Sequence, residues 1–471
     1  MRRRVVGRFR QYAVCVVALQ ALGSMAGHAD LRFSRHYTDD MVLQREKPVE
    51  IRGFADRAAE VSVTFADQSR KVEADAVGVW SVTLEPMAAS TEGRELTCSS
   101  GGSNVVLTNV LVGDVFLFAR QTTIDVSLGR DEIGRGAAAG FTESAMLRAM
   151  TIETIPAVLP QEELSQDACS GWSVLSKKLA LNMNAAAFYM ARDLSAKTDV
   201  PIGIIDLNLG HHFPIAWLSE EALKKTAKIY DARKTTVEGS IEAVDNMFEI
   251  TAKMLAEFED EEKRKEAASR RPDSVPHPRD DPRCPAAGYN AVLHPMRGLA
   301  LKGLLLQLGN NYPYMLYERL VREGLHTSRA HLGQTYKDSY DVRKWGIYLE
   351  PITTPRIPRE WRAYFGDDSL AIGWITPPGS DLVPSGRHHR EMRELQRRTA
   401  ETEKGVDLIL AGTEHIPFSA QPAHEELLGA RCLAWLKGAV YKEDGAVASG
   451  PLFERAEIND SKVHFSSFLP L

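Results

Sequence analysis

Residues 111–125 read LVGDVFLFARQTTID. The run 112–118, VGDVFLF, is short and apolar and rich in β-branched and aromatic residues, which is the composition of a buried strand. It breaks into a polar turn, Ala119-Arg120-Gln121-Thr122-Thr123. In an open α/β sheet the carboxyl ends of the strands open onto a crevice, and ligands and nucleophiles sit in the loops there.

Downstream of this stretch apolar strands alternate with helices, which predicts a parallel sheet with helices on its faces. Candidate strands are 112–118, 202–207, 301–308, 346–350, 370–375 and 406–411, and 179–196 carries apolar residues at helical spacing. Ser219 is a good helix N-cap, with Glu220 and Glu221 at the positive end of the helix that follows. A charged helical region continues from there with an apolar stripe (Ile241, Val244, Phe248, Leu255, Phe258), and a proline-rich linker runs from Arg271 to Pro285. A helical hairpin packed on the same protein accounts for that region better than a coiled-coil partner helix.

Upstream, residues 30–110 read as an all-β unit. Polar and apolar residues alternate in Val61-Ser62-Val63-Thr64-Phe65 and in Trp80-Ser81-Val82-Thr83-Leu84. Turn residues punctuate the segment at Gly53, Asp67-Gln68-Ser69, Gly78 and Gly101-Gly102. Short strands at this spacing predict a β-sandwich.

The first 29 residues predict a secretory signal peptide. Five arginines lie within 1–11, a mostly apolar run covers 12–22, and Gly27-His28-Ala29 offers small residues at cleavage spacing. The apolar run is too short to span a bilayer. Cleavage after Ala29 would leave a secreted or periplasmic protein. The whole chain carries a formal charge of −6, and loss of the leader makes it more acidic, so nothing draws it to nucleic acid or to an anionic membrane. Beyond the leader, Cys98, Cys169, Cys284 and Cys432 are far apart with no CxxC spacing, which argues against zinc and for buried thiols, with pairing left open.

Several of these stretches together resemble the sialate O-acetylesterases, a carbohydrate-esterase branch of the SGNH hydrolases. The 112–118 strand resembles the family's V-G-D-V-W-L running into G-Q-S-N-M. Met41-Val42-Leu43-Gln44-Arg45 followed by Lys47-Pro48-Val49 resembles its opening D-H-M-V-L-Q-R and K-P-V, with Asp40 where the family usually has His. Pro201 to Ile205 resembles V-P-V-G-L-I, and Ala216-Trp217 its A-W. Tyr289 to Pro295 resembles Y-N-G-M-I-x-P, and Lys302 to Gly309 lies on K-G-V-I-W-Y-Q-G. Gly429, Arg431 and Trp435 match its C-terminal helix, and Ser449-Gly450-Pro451-Leu452 its S-G-P-L.

The resemblance implies an α/β fold: an SGNH-hydrolase-like parallel sheet flanked by helices, with an N-terminal β-sandwich domain and a short C-terminal β segment. The expected partition is a signal peptide at 1–29, the sandwich at 30–110, the α/β domain at 111–440 with the charged helical insert at 219–285, and the start of the C-terminal β segment at 441–471. The family runs on for several more strands, so the chain reads as truncated.

The resemblance also locates the chemistry, and there the residues differ. An SGNH esterase needs a serine nucleophile, a histidine base, an acid that orients it, and oxyanion donors. The nucleophile position is Thr122, which keeps a hydroxyl but adds a β-methyl that restricts χ1. Arg120 stands at the preceding glycine position. Working back from Gly429, the acid position is Ser419 and the base position Gln421, and a glutamine cannot take a proton near neutral pH.

The oxyanion positions are Gly210, in Gly210-His211-His212 for G-G-T, and Gly309 with Asn310 in the third block, where Tyr312 stands at the asparagine position. His415 and His424 flank the acid–base stretch and are candidates for a recruited base, although solvated loop histidines are the simpler reading. The resemblance implies no cofactor. The adjacent pairs His211-His212 and His388-His389 lack a companion ligand, so no metal site is read.

Two functions fit. One is a secreted carbohydrate O-acetyl esterase whose activity is weakened or lost through these substitutions, acting on an acetylated sugar or glycan. The other is a non-catalytic glycan-binding or scaffold protein on the same fold, with Trp217, Tyr312 and Tyr314 as aromatic groups for sugar rings or for packing. A gene decaying after duplication is a third reading, inseparable from the second on sequence. Oligomeric state is not written in these residues.

Overall fold

The computed structural model describes residues 31–121, 126–130, 132–210, 212–232, 284–308, 353–377, 386–411, 422–446, 452–459 and 462–468, with short helical pieces at 244–245, 248–249, 251–252 and 255–256. The N-terminal unit is built from β1 (Arg32–Phe33), β2 (Val42–Gln44), β3 (Val49–Phe54), β4 (Glu60–Phe65), β5 (Gln68–Glu73), β6 (Val79–Leu84), β7 (Ser90–Ser100) and the first half of β8 (Ser103–Gln121). β1, β3 and β6 form one antiparallel sheet, and β5, β4, β7 and β8 form the other. Alternation read from sequence is alternation in burial: Val61, Val63 and Phe65 point inward, as do Trp80, Val82 and Leu84. Gly101 and Gly102, both at positive φ, make the two-residue turn that joins β7 to β8.

β8 continues through residues 110 and 111 without a break. Its 19 residues leave the sandwich and become the central strand of the second sheet. That sheet adds β9 (Leu147–Glu153), β10 (Ser173–Val174), β11 (Ile202–Gly210), β12 (Gly303–Gln307), β13 (Ala371–Ile375) and β14 (Val406–Ile409), in the order β10-β9-β11-β8-β12-β13-β14. All neighbours from β9 to β14 are parallel and only β10 runs against them. The strand expected at 346–350 lies outside the described residues. The sequence reading names no strand at 147–153, yet β9 is fully inside the sheet.

The residues of the opening stretch have specific tasks in this arrangement. A Cβ on Gly113 would run into the carbonyl oxygen of Pro201, so only glycine lets the two chains meet there. Asp114 is fully buried and accepts two bonds from Arg45, from Nε at 2.8 Å and Nη2 at 3.1 Å, and one from the Tyr441 hydroxyl at 2.9 Å. The V-G-D signature is thus a junction of the sandwich, the sheet and the C-terminal region.

Helices cover the sheet. They are α1 (Glu132–Gly140), α2 (Lys177–Asn182), α3 (Ala185–Ser195), α4 (Glu220–Ala232), α5 (Ile357–Phe365), α6 (Gly386–Thr402) and α7 (Pro422–Trp435). The helix expected at 179–196 is two helices, because Asn184 interrupts it and caps α3, its Oδ1 accepting from the N–H groups of Ala186 and Ala187. Ser219 caps α4 as expected, through the Ala222 N–H. α3 and α7 lie together on one face of the sheet, over Phe116, Phe118, Ile202, Ile204 and Leu305. The other face shares one continuous core with the sandwich. A last hairpin pairs β15 (Leu452–Asn459) with β16 (Lys462–Phe468). Cys98, Cys284 and Cys432 are buried thiols and Cys169 is half-buried, and no disulfide joins these four. Among the described residues no helix is long and apolar enough to cross a membrane.

Gly429 sets how closely α3 and α7 approach, since a Cβ there would sit 2.8 Å from Tyr189 Cβ and 2.9 Å from the Ala186 carbonyl oxygen. Gly429→Ala is therefore expected to force the helices apart and to destabilise the fold by about 1–3 kcal/mol, read as a lower urea midpoint with an unchanged denaturant slope.

Candidate functional site

The six parallel strands end along one edge, at Glu153, Gly210, Gln121, Gln307, Ile375 and Ile409. β8 lies where the chain order reverses: the next strands in sequence, β9 and β11, build one side and β12, β13 and β14 the other. A crevice outside the carboxyl ends is expected at that switch point. Thr122 is the residue after the last residue of the central strand.

The end of β8 sends side chains to both faces. Arg120 follows Phe116 and Phe118 toward α3 and α7, as strand alternation requires. It is buried, and its guanidinium is gripped by Glu425 of α7, with Nη1 donating to Oε2 and Nη2 to Oε1 at 2.9 Å. Nη1 also reaches Asn184 Oδ1 at 3.3 Å, and Nε donates to Gln307 Oε1 at the end of β12. Burial disfavours the Arg120 charge, but the Glu425 carboxylate and its hydrogen bonds outweigh it and hold the guanidinium pKa above its ordinary value. This arrangement ties four elements together: β8, β12, the N-cap of α3 and the start of α7. Gln121 points the other way and donates through Nε2 to the carbonyl oxygen of His212.

On β11, Asp206 is buried and accepts the Asn184 N–H at 2.7 Å. Burial pushes its carboxyl up to about 7; the Asn184 bond opposes this, Glu153 adds to it, and Arg120 opposes it weakly. Two residues on, Asn208 stands opposite both Arg120 and Glu153, and its Nδ2 donates to Glu153 Oε2 at 2.8 Å. Burial also raises the Glu153 carboxyl above its usual range. Among the described residues no group of three His, Cys, Asp or Glu side chains could hold a metal ion.

Of the positions read from sequence, Gly210 is described: it closes β11 at φ +59°, beside the ring of His212, which is buried. His424 falls in the first turn of α7, where only the backbone is described. Thr122, Ser419, Gln421, Gly309, Asn310 and His415 lie outside the described residues, as do His211, Tyr312 and Tyr314. Trp217 is a core residue and not a sugar platform. It is fully buried, 6.0 Å from the ring of Trp361, with no room for a Cβ on Gly288 beside it.

Glu425, Asp206, Asn208 and Glu153 escape sequence reasoning. One signal was available: an arginine closing an apolar strand must find a buried acid. Which acid answers it is set by the packing of α7 and not by spacing.

No protein-family model matches the chain. A curated relative, the sialate O-acetylesterase of Rattus norvegicus, is 23% identical over 329 residues, covering 64% of this chain. The match takes in 56% of that relative, so the chain spans about half the length of the curated protein it resembles. Among solved structures, a carbohydrate acetylesterase from Xanthomonas citri superposes with a TM-score of 0.65, over 93% of this chain and 82% of that one, at 21% identity. The likeness establishes the fold.

Two outcomes are expected of this site. Arg120→Met or Glu425→Met alone leaves a buried charge without its partner and costs about 3–5 kcal/mol, whereas the double variant recovers most of the loss; a thermodynamic cycle by urea melts measures this. Asp206 holds its proton longer folded than unfolded, so its contribution to stability falls as pH rises from the ordinary aspartate value of 3.8 to about 7. Asp206→Asn should flatten stability over that window and melt above the parent protein at pH 8.

Proposed function

We propose that this chain, a relative of the sialate O-acetylesterases in sequence and in fold, is an exported protein that retains the family's glycan crevice while its acetyl-ester hydrolysis is weak or lost. Export rests on the basic and apolar leader, with cleavage after Ala29 into a secreted or periplasmic form. The ligand class, an acetylated sugar or glycan, is carried over from the sialate O-acetylesterase and the carbohydrate acetylesterase that the chain resembles.

The buried Arg120–Glu425 pair carries this reading. The resemblance puts a glycine at Arg120, one residue before the conserved glutamine and two before the nucleophile. It puts the acid–base loop directly before α7. In this chain the strand end and the first turn of α7 are joined by a buried, two-pronged ion pair. The pair supports a scaffold that is held together at the end of the central strand, while by the resemblance Thr122, Ser419 and Gln421 stand where a serine, an acid and a base would work. Loss of a serine–histidine pair costs on the order of 10⁶ in turnover, leaving about 10³–10⁴ of residual acceleration from oxyanion donors and binding.

The test is acetate release by the chain beginning at Asp30, from an activated acetyl ester and from an O-acetylated sialic acid, beside Thr122→Ala. Release is expected to be at most the residual level and equal in the two proteins. Turnover that disappears in Thr122→Ala would overturn the proposal and make His415 and His424 the first candidates for a recruited base. Binding of the acetylated sugar without release selects the non-catalytic glycan binder.

A further inference from the structure

We infer that Asn208 is a positioning residue that keeps the Gly210 N–H occupied, with Glu153 as its anchor, so that the turn that ends β11 is closed on itself. The inference rests on reading the crevice as one derived from an acetylesterase.

β11 and β8 run in register until Asn208 faces Arg120; the register then slips, and Gly210 faces Gln121. The extra residue is Leu209, and the bulge ends with Gly210 at φ +59°, which turns the strand end toward the crevice. In this turn the Gly210 N–H donates to Asn208 Oδ1 at 2.9 Å. The rest of Asn208 is equally committed. Its Nδ2 donates to Glu153 Oε2 at 2.8 Å, and its backbone carbonyl accepts the Thr154 hydroxyl at 2.6 Å. A carboxylate on one side and an N–H on the other permit one orientation of the amide only.

The consequence is chemical. An acyl-transfer site stabilises its tetrahedral intermediate with N–H groups aimed at the developing oxyanion. By the resemblance Gly210 stands at an oxyanion position, and it lies across from Gln121 at the carboxyl end of β8. With Asn208 Oδ1 in place the Gly210 N–H is spent within the protein, and a substrate oxygen has to displace it. Glu153, from the neighbouring strand, fixes the amide and makes the displacement harder.

Hydrogen–deuterium exchange of the full chain tests this, followed on peptides that resolve the Gly210 amide, with β13 as the fold control. Asn208→Ala is expected to speed Gly210 exchange about tenfold, the scale of one lost hydrogen bond. The N208D/E153Q double variant keeps an acceptor for Gly210 and exchanges donor and acceptor in the second bond, so it should retain the parent rate. Parent-like exchange in N208A, or exchange in N208D/E153Q as fast as in N208A, overturns the inference. If N208A loses protection in β13, Glu153→Ala carries the test, with faster Gly210 exchange supporting the inference and an unchanged rate overturning it. Acetate release measured alongside reports separately on the esterase-derived reading.

Discussion

One strand belongs to two sheets, and most of the architecture follows from it. The first half of β8 pairs with β7 in the sandwich and the second half with β11 and β12 in the parallel sheet. A strand has a side-chain period of two, so one register must satisfy both cores at once. The crossover point is pinned by Gly113, which admits the Pro201 carbonyl, and by Asp114, whose buried charge is met by Arg45 from the sandwich side and Tyr441 from the C-terminal side. Moving β8 by one residue would bury Arg120 on the wrong face and strand Asp114 among apolar neighbours, a cost of several kcal/mol for each uncompensated charge.

At its carboxyl end the same strand enters a cluster in which acids outnumber cations. Arg120 is held by Glu425, Asp206 remains within its field, and Glu153 acts on Asp206 in turn. Asp206 therefore keeps its proton to near neutrality, while Glu153 lies at the rim beside Asn208. Burial raises both carboxyls, and it is the largest cause of the shift at the deeper one, Asp206. The carboxyl ends of the strands are tied by a set of hydrogen bonds between β9, β11, β8, β12, α3 and α7.

Much of the fold could be read from the sequence because it depends on periodicity. The central strands of residues 202–207, 370–375 and 406–411 announce themselves as apolar runs, and the sandwich as strict alternation. β9 does not, because Arg148 lies in it. That arginine is buried and satisfied by the Ala145, Asp40 and Asn109 carbonyl oxygens, at 2.7, 2.8 and 3.1 Å, none of them predictable from spacing. The break between α2 and α3 was hidden for a similar reason: α2 ends at Asn182 with Met183 as its C-cap, Asn184 caps α3, and the residues on either side of Asn184 are helix formers. At the site, the resemblance points to Thr122 and Gly210, whereas Glu425, Asp206 and Asn208 are defined by contacts across 22 to 305 positions or by a local turn.

The Arg120–Glu425 pair also bears on whether the chain is a decaying copy. A guanidinium introduced at a glycine position inside a packed layer would, by chance, find no partner, and an unpaired buried charge would cost more than a typical domain can spare. Here the side chain has a carboxylate facing both terminal nitrogens and amide oxygens from β12 and α3 for the rest. The acid comes from the first turn of α7, so the strand end and that helix depend on each other. The pair thus fixes the packing of α7 and of the α3 N-cap against the ends of β8 and β12.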